Sequence, residues 1–339
     1  MKHTHVLPLA LLISLLLPTL ASAETLEHKN SDKYTLELGG FARTRLAMEL
    51  SDAHTDPTPS ASIVMARLLG RAKYNDLGTV KVELNLLAQQ PILDLYTDIN
   101  LGSPVGVQLG IFKVPLSKEL LLPITSLPIY DRTLLSLDLG VRRRVGANAY
   151  AKLENEELKL KIQSGLFDPK NNFNERFDQG LLSVTSADLT FKRINTDIHL
   201  AYMDHILKPE LTLDADGNVI TYPKDQQIDI ALYTEQKHLR ALLEGLASLE
   251  TTNNHISYAI HSFVAYRFDQ ESTGYSYEPA VSVDYLDLDD GEHMRMTGNM
   301  HWLILERKLQ ASLGYGYEPE LGAQQHASHY MLMELQGGF

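Results

Sequence analysis

Tyr34-Thr35-Leu36-Glu37-Leu38-Gly39-Gly40-Phe41-Ala42-Arg43-Thr44-Arg45-Leu46-Ala47-Met48-Glu49-Leu50 changes character at every step. One parity carries Tyr34, Leu36, Leu38, Ala42, Leu46, Met48 and Leu50; the other carries Glu37, Arg43, Arg45 and Glu49. Successive side chains of a strand point to opposite faces, so this segment has one apolar face and one charged face.

The same split recurs downstream. In Ser62 to Tyr74, Val64, Ala66, Leu68, Ala72 and Tyr74 oppose Arg67, Arg71 and Lys73. After the Asn75-Asp76-Leu77-Gly78 turn, Val80, Val82, Leu84 and Leu86 oppose Lys81, Glu83 and Asn85, a hairpin whose register the alternation sets. Carried along the chain, the pattern gives about sixteen segments, starting near Tyr34, Ser62, Thr79, Ile92, Gly106, Leu139, Glu157, Thr185, Thr196, Gln227, His238, His255, Glu278, Glu292, Lys308 and Ser328. Their connections alternate long and short, apart from Asp269 to Tyr277, which is long on the short side. Long loops on one rim and tight turns on the other mark an all-β, transmembrane antiparallel β-barrel of the outer-membrane type. A soluble all-β protein also alternates, but it has no use for so dense a charged, mainly basic inner face.

Composition fits this reading. The chain has 339 residues, 44% of them hydrophobic, a formal net charge of −13 and no cysteine. Thiol catalysis and thiolate metal sites are excluded, and an acidic chain makes a poor nucleic-acid binder. Met1 to Ala23 reads as a cleaved signal peptide: Lys2, an apolar run from Val6 to Leu17, then Ala21-Ser22-Ala23 before Glu24. Residues 24–339 are then one barrel domain. The chain ends on alternating Met331, Met333, Leu335, Gly337 and Phe339, the form of a terminal strand read by the outer-membrane assembly machinery. Tyr34, Tyr74, Tyr150, Tyr202, Tyr258, Tyr266, Trp302, Tyr315 and Tyr317 lie near strand ends, where interfacial girdles form.

Val107 to Asn172 resembles the phosphate-selective porin O and P family. The resemblance rests on Gly110-Ile111-Phe112-Lys113-Val114-Pro115-Leu116-Ser117-Lys118-Glu119, Asp131-Arg132, Asp138-Leu139-Gly140-Val141 and Gly165-Leu166-Phe167-Asp168. It implies a sixteen-stranded, homotrimeric, passive diffusion channel of the Gram-negative cell outer membrane, whose Phe-Lys-x-Pro segment opens the loop that folds into the pore. The chain departs from phosphate-selecting members in being net acidic.

The basic residues on the lumenal parity are Arg43, Arg45, Arg67, Arg71, Lys73 and Lys81, with Arg142 and Arg144 expected beside Asn148 on the same face. Such a lining favours anions, since charged rings set ionic selectivity and guanidinium forks suit oxyanions. Pairing with Glu37, Glu49 and Glu83 is the competing role. Residues 116–137 form the expected constriction loop, carrying Lys118, Glu119, Asp131 and Arg132 among leucines and prolines whose apolarity suits packing on the inner wall. No cofactor or metal site is expected: Asp214 to Asn218 and the Asp287, Asp289, Asp290, Glu292 cluster read as hairpin tips. The expected partners are outer-membrane lipid, lipopolysaccharide and small hydrophilic or anionic solutes. A closed structural or adhesive barrel is the alternative function. An outer-membrane hydrolase is a weaker one, since adjacent His261 and Ser262 face opposite sides of a strand.

Overall fold

The computed structural model describes residues 28–31, 34–51, 58–129, 132–169, 180–206, 226–250, 255–270, 275–288, 291–304, 309–319 and 327–338. The expected signal segment (residues 1–23), Asp131, Asp214 to Asn218, Asp289, Asp290 and Phe339 lie outside them.

The first half of the wall is β1 (Tyr34–Ser51), β2 (Thr58–Tyr74), β3 (Gly78–Asn85), β4 (Ile92–Gly102) and β5 (Val105–Lys113), followed by β6 (Arg143–Glu154), β7 (Leu158–Phe167) and β8 (Leu181–Phe191). The second half is β9 (Thr196–Ile206), β10 (Gln226–Glu235), β11 (Leu239–Glu250), β12 (His255–Tyr266), β13 (Tyr275–Leu288), β14 (Gly291–Ile304), β15 (Leu309–Glu318) and β16 (Ser328–Gly338). A short strand, His28–Ser31, pairs with the start of β1. Every consecutive pair is antiparallel, and β16 returns to β1 from Ser328↔Ser51 to Gly338↔Phe41, so the sixteen strands close. Closure leaves no edge strand with unsatisfied backbone groups, the condition for crossing hydrocarbon with strands.

The Asp269 to Tyr277 irregularity disappears in three dimensions. After Arg267 the β12 line resumes as Phe268–Gln270 and pairs with Tyr275 to Tyr277 of β13, so most of that stretch is strand. At the hairpin joining β2 and β3, Asn75 takes φ 45°, a left-handed conformation that asparagine tolerates well.

The apolar parity faces outward. Val281 is 62% exposed, Ile230 56% and Leu243 54%, while Glu244, Gln227, Asp229, His199 and His261 are completely buried inside. This inverts the arrangement of a soluble protein and fits a surface solvated by lipid. Tyr34, Tyr74, Tyr202, Tyr258, Tyr266, Trp302 and Tyr315 are exposed on the outer face. Tyr150 departs from that set. Its hydroxyl donates to Asp98 Oδ1 at 2.6 Å, and its ring fills the space beside Gly106, its cross-strand partner. A glycine opposite leaves room for the ring on the inner face.

Arg43 and Arg45 stitch the closing seam from within. Arg43 Nε and Nη2 donate to Gln336 Oε1 at 3.1 and 2.7 Å, and Arg45 Nε donates to Glu334 Oε1 at 2.8 Å. Both acceptors lie on β16, directly across from the arginines in register.

Candidate functional site

The loop between β5 and β6 turns into the barrel. It holds a short helix α1 (Lys118–Leu121), a 3-10 turn at Ile124–Ser126 and a wide turn at Leu135–Leu139. Ser117 caps α1, its side chain accepting from Leu120 N, and the wide turn closes with Gly140 N donating to Leu135 O at 2.9 Å. Leu116, Leu135 and Leu139 pack on Leu182, Val184, Met203, Leu246 and Leu286 of the inner wall. Leu127 and Ile129 form a second cluster with Tyr233, Leu242 and Phe263. An apolar loop thus meets an apolar sector of the wall, and both leave water.

The wall also reaches the loop backbone. His199 Nε2 donates to Leu116 O at 2.9 Å, Gln227 Nε2 to Leu139 O at 3.1 Å, and Arg295 Nη2 to Arg132 O at 2.8 Å. His301 Nε2 donates to Pro128 O at 2.6 Å, its Nδ1 accepting from Gln310 Nε2, and Arg240 donates to Ser126 O. Buried carbonyls left without donors cost about 1–3 kcal/mol each, so these bonds hold a segment with little regular structure.

Lys118 and Glu119 are the loop's own anchors. Lys118 Nζ contacts Asp188 at 3.1 Å and Asp197 at 2.9 Å; burial lowers its pKa, but the two carboxylates outweigh this and raise it above the ordinary lysine value. Glu119 is completely buried, accepting from Thr133 Oγ1 at 2.8 Å, from Ser136 Oγ and from Arg132 Nη1. Its backbone N–H donates to Glu244 Oε2 at 2.9 Å. Burial pushes its carboxyl above the usual range despite Arg132, whose own guanidinium is lowered by burial.

Between the loop and the strands β1 to β7 lies a space of about 420 Å³. On its wall side, Arg67, Lys81 and Arg143 share Glu83 and Asp94. Arg67 Nη1 lies 2.7 Å from Glu83, Lys81 Nζ 2.7 Å from Asp94, and Arg143 Nε 2.6 Å from Asp94. Arg71, Lys113 and Lys161 line the same space. Arg71 pairs with Glu37 at 3.2 Å, both half-exposed, while Lys113 Nζ donates to Leu121 O and Leu122 O at 3.2 and 3.0 Å.

Of the residues expected on the pore wall, Arg67, Arg71 and Lys81 meet here, whereas Arg43 and Arg45 sit at the seam. Lys73 lines a separate recess of about 710 Å³ near the short turns, with Asn75, Asp76, Tyr150 and Lys152. Arg142 and Arg144 do not join this lining, and Arg143 does. β6 starts at Arg143, four residues later than the alternation puts it, because the coiled turn buries Leu135 and Leu139 and Val141 joins that core. Arg142 is left exposed ahead of the strand, Arg144 donates to Pro169 O at 3.1 Å, and Arg143 reaches the acids. Lys113 and Lys161 also line this space, which exists only because the loop folds against the wall.

No family model and no curated protein sequence matches the chain. Solved structures do. An anion-selective porin from Comamonas acidovorans superposes with a TM-score of 0.61 at 13% identity, covering 91% of this chain and all of that one. The fold is that of the outer-membrane porins. OprB of Pseudomonas putida gives a TM-score of 0.61 at 9% identity, covering 91% of this chain and 94% of its own. A trimer form of OmpT, an outer membrane protein of Vibrio cholerae, gives 0.59 at 12% identity, covering 91% of this chain and all of that one. At such identities the porin fold is shared while side chains at the site are not comparable.

Proposed function

We propose that the chain is an outer-membrane porin that passes small solutes by passive diffusion and prefers anions. The observation that carries this is the lining of the 420 Å³ space: Arg67, Arg71, Lys81, Lys113, Arg143 and Lys161 against Glu83 and Asp94. A wall with more cations than anions, inside a low-dielectric barrel, lowers the barrier for an entering anion and raises it for a cation. The inward loop is the constriction and the cations opposite are the filter.

The motif from Val107 to Asn172 supports a relationship to the phosphate-selective O and P porins, and the trimer form among similar structures supports a homotrimer. Lipid and lipopolysaccharide would cover the outer face, Phe339 would present the assembly signal, and cleavage after Ala23 would release the mature chain.

The test is the reversal potential of single channels in planar bilayers under a potassium chloride gradient. Chloride is expected to be more permeant than potassium, and Arg143→Gln with Lys161→Gln is expected to bring the ratio towards one. A cation-selective pore would sink the proposal.

A further inference from the structure

Two buried histidines fasten the loop to the wall in different ways. His301 Nε2 donates to Pro128 O at 2.6 Å while its Nδ1 accepts from Gln310 Nε2 at 2.8 Å, a pattern that one ring proton satisfies. His199 Nε2 lies 2.9 Å from Leu116 O and its Nδ1 3.0 Å from Asp188 Oδ1, so both of its ring nitrogens face acceptors. A neutral imidazole carries one N–H and serves only one of them; the imidazolium serves both. Asp188 is a poor source of the missing proton. Its Oδ1 also faces Lys118 Nζ at 3.1 Å, so a proton on that oxygen would meet an ammonium.

The surrounding charge agrees. Around the completely buried His199 ring stand Asp188 on β8, Asp197 on β9 and Asp229 on β10, with Glu244 of β11 beside Asp229. The cations on this group are Lys118, 2.9 Å from Asp197, and Lys161, opposite Asp188 in register. Neither oxygen of Asp229 has a hydrogen-bond partner among the described residues, and its Oδ1 lies 3.8 Å from His199 Nε2. A charged ring thus supplies the positive charge that this acidic corner lacks. The contact also falls at the root of the loop. Leu116 comes three residues after β5 ends at Lys113, and Lys118 follows it onto the same two strands.

We propose that His199 is a proton-operated latch that couples docking of the constriction loop to pH. With a proton on each nitrogen, the ring bridges Leu116 of the loop to Asp188 of the wall. On losing one proton it has two choices. It keeps Leu116 O and turns a lone pair on Asp188, or it keeps Asp188 and leaves the buried Leu116 carbonyl without a donor; each weakens docking. The docked loop therefore binds one proton more than the released loop. Acid favours docking, and the contribution is lost as pH rises. His301, satisfied by a single proton, has no part in this.

The chain has no cysteine, so one introduced thiol reports on the loop alone. Ser117 is completely buried next to Leu116, and Ser103 is exposed in a short turn. The experiment measures maleimide labelling of Ser117→Cys relative to Ser103→Cys in the refolded full chain, from about pH 5 to pH 8, where histidines change charge. Both proteins carry Glu119→Gln, so the loop's own carboxyl does not contribute. The relative rate is expected to rise with pH, by at most about tenfold per unit for one coupled proton. Asp188→Asn is the deciding variant. Its amide can donate to a neutral Nδ1, so the loop should stay docked and the relative rate low and flat. His199→Gln cannot gain a proton and should also give a flat profile, which reads the latch should Asp188→Asn fail to fold. A relative rate independent of pH with His199 and Asp188 in place would overturn the proposal. So would a slope that survives either substitution.

Discussion

Glu119 shows how one side chain couples the loop to the wall. Its carboxyl gathers Arg132, Thr133 and Ser136 from the far end of the loop, while its backbone binds Glu244 of β11. Complete burial disfavours its charge, so its pKa lies above the value of about 4.3 expected in the open, solvated loop. A carboxyl raised in the docked state favours docking most fully below the open-loop value, and that contribution is lost as pH rises through the raised one. Open-channel noise, read as loop mobility, should therefore grow as pH rises from acid towards neutral. Glu119→Gln keeps the size and an acceptor but cannot ionise; it is expected to flatten this dependence, checked by current-noise spectra across the same pH range. A dependence identical to the parent's would show that Glu119 does not carry it.

Among the elements, the strands are held by alternation and the loop by interior contacts. β15 and β16 contain a local device. Gly316 faces Tyr330 across the ladder, and the Tyr330 ring fills the space a side chain at 316 would take. An aromatic ring laid over a cross-strand glycine fixes register where glycine alone would loosen it. Gly316→Val forces the ring out and is expected to cost about 2 kcal/mol through overpacking, seen as a lower urea midpoint for refolding into detergent. Tyr330→Ala in the same background should recover part of the loss. The loop has no such internal code: its carbonyls are satisfied by His199, Gln227, Arg240, Arg295 and His301 from four different strands.

For the whole molecule, closure separates a lipid-facing surface from an interior that is half apolar loop and half charged wall. The net charge of −13 describes neither face. Selectivity from fixed wall charges decays over the Debye length, about 10 Å at 0.1 M salt and about 3 Å at 1 M. The chloride-to-potassium permeability ratio is therefore expected to be larger at 0.1 M than at 1 M. An unchanged ratio would assign selectivity to pore size instead of charge. The committed contacts, such as Arg143 with Asp94 at 2.6 Å, are short-range and should survive that change in salt.

The alternation from Tyr34 to Leu50 is legible as a strand with one charged face, and its repetition around the chain determines a closed barrel with an inner and an outer side. That follows from local physics: in strands, period two alone assigns each residue a face. The inward loop is legible as well, because Leu116 to Leu137 is too apolar for an aqueous rim. Only the tertiary structure decided which cations meet across the pore. Arg143 displaced Arg142 and Arg144 because buried leucines delayed β6, and Arg43 went to the seam because Glu334 and Gln336, nearly three hundred residues away in sequence, lie opposite it on β16. The space that Lys113 and Lys161 both line exists only because the loop closes it. Register between distant strands and the docking of an irregular loop depend on long-range packing, which no local periodicity encodes.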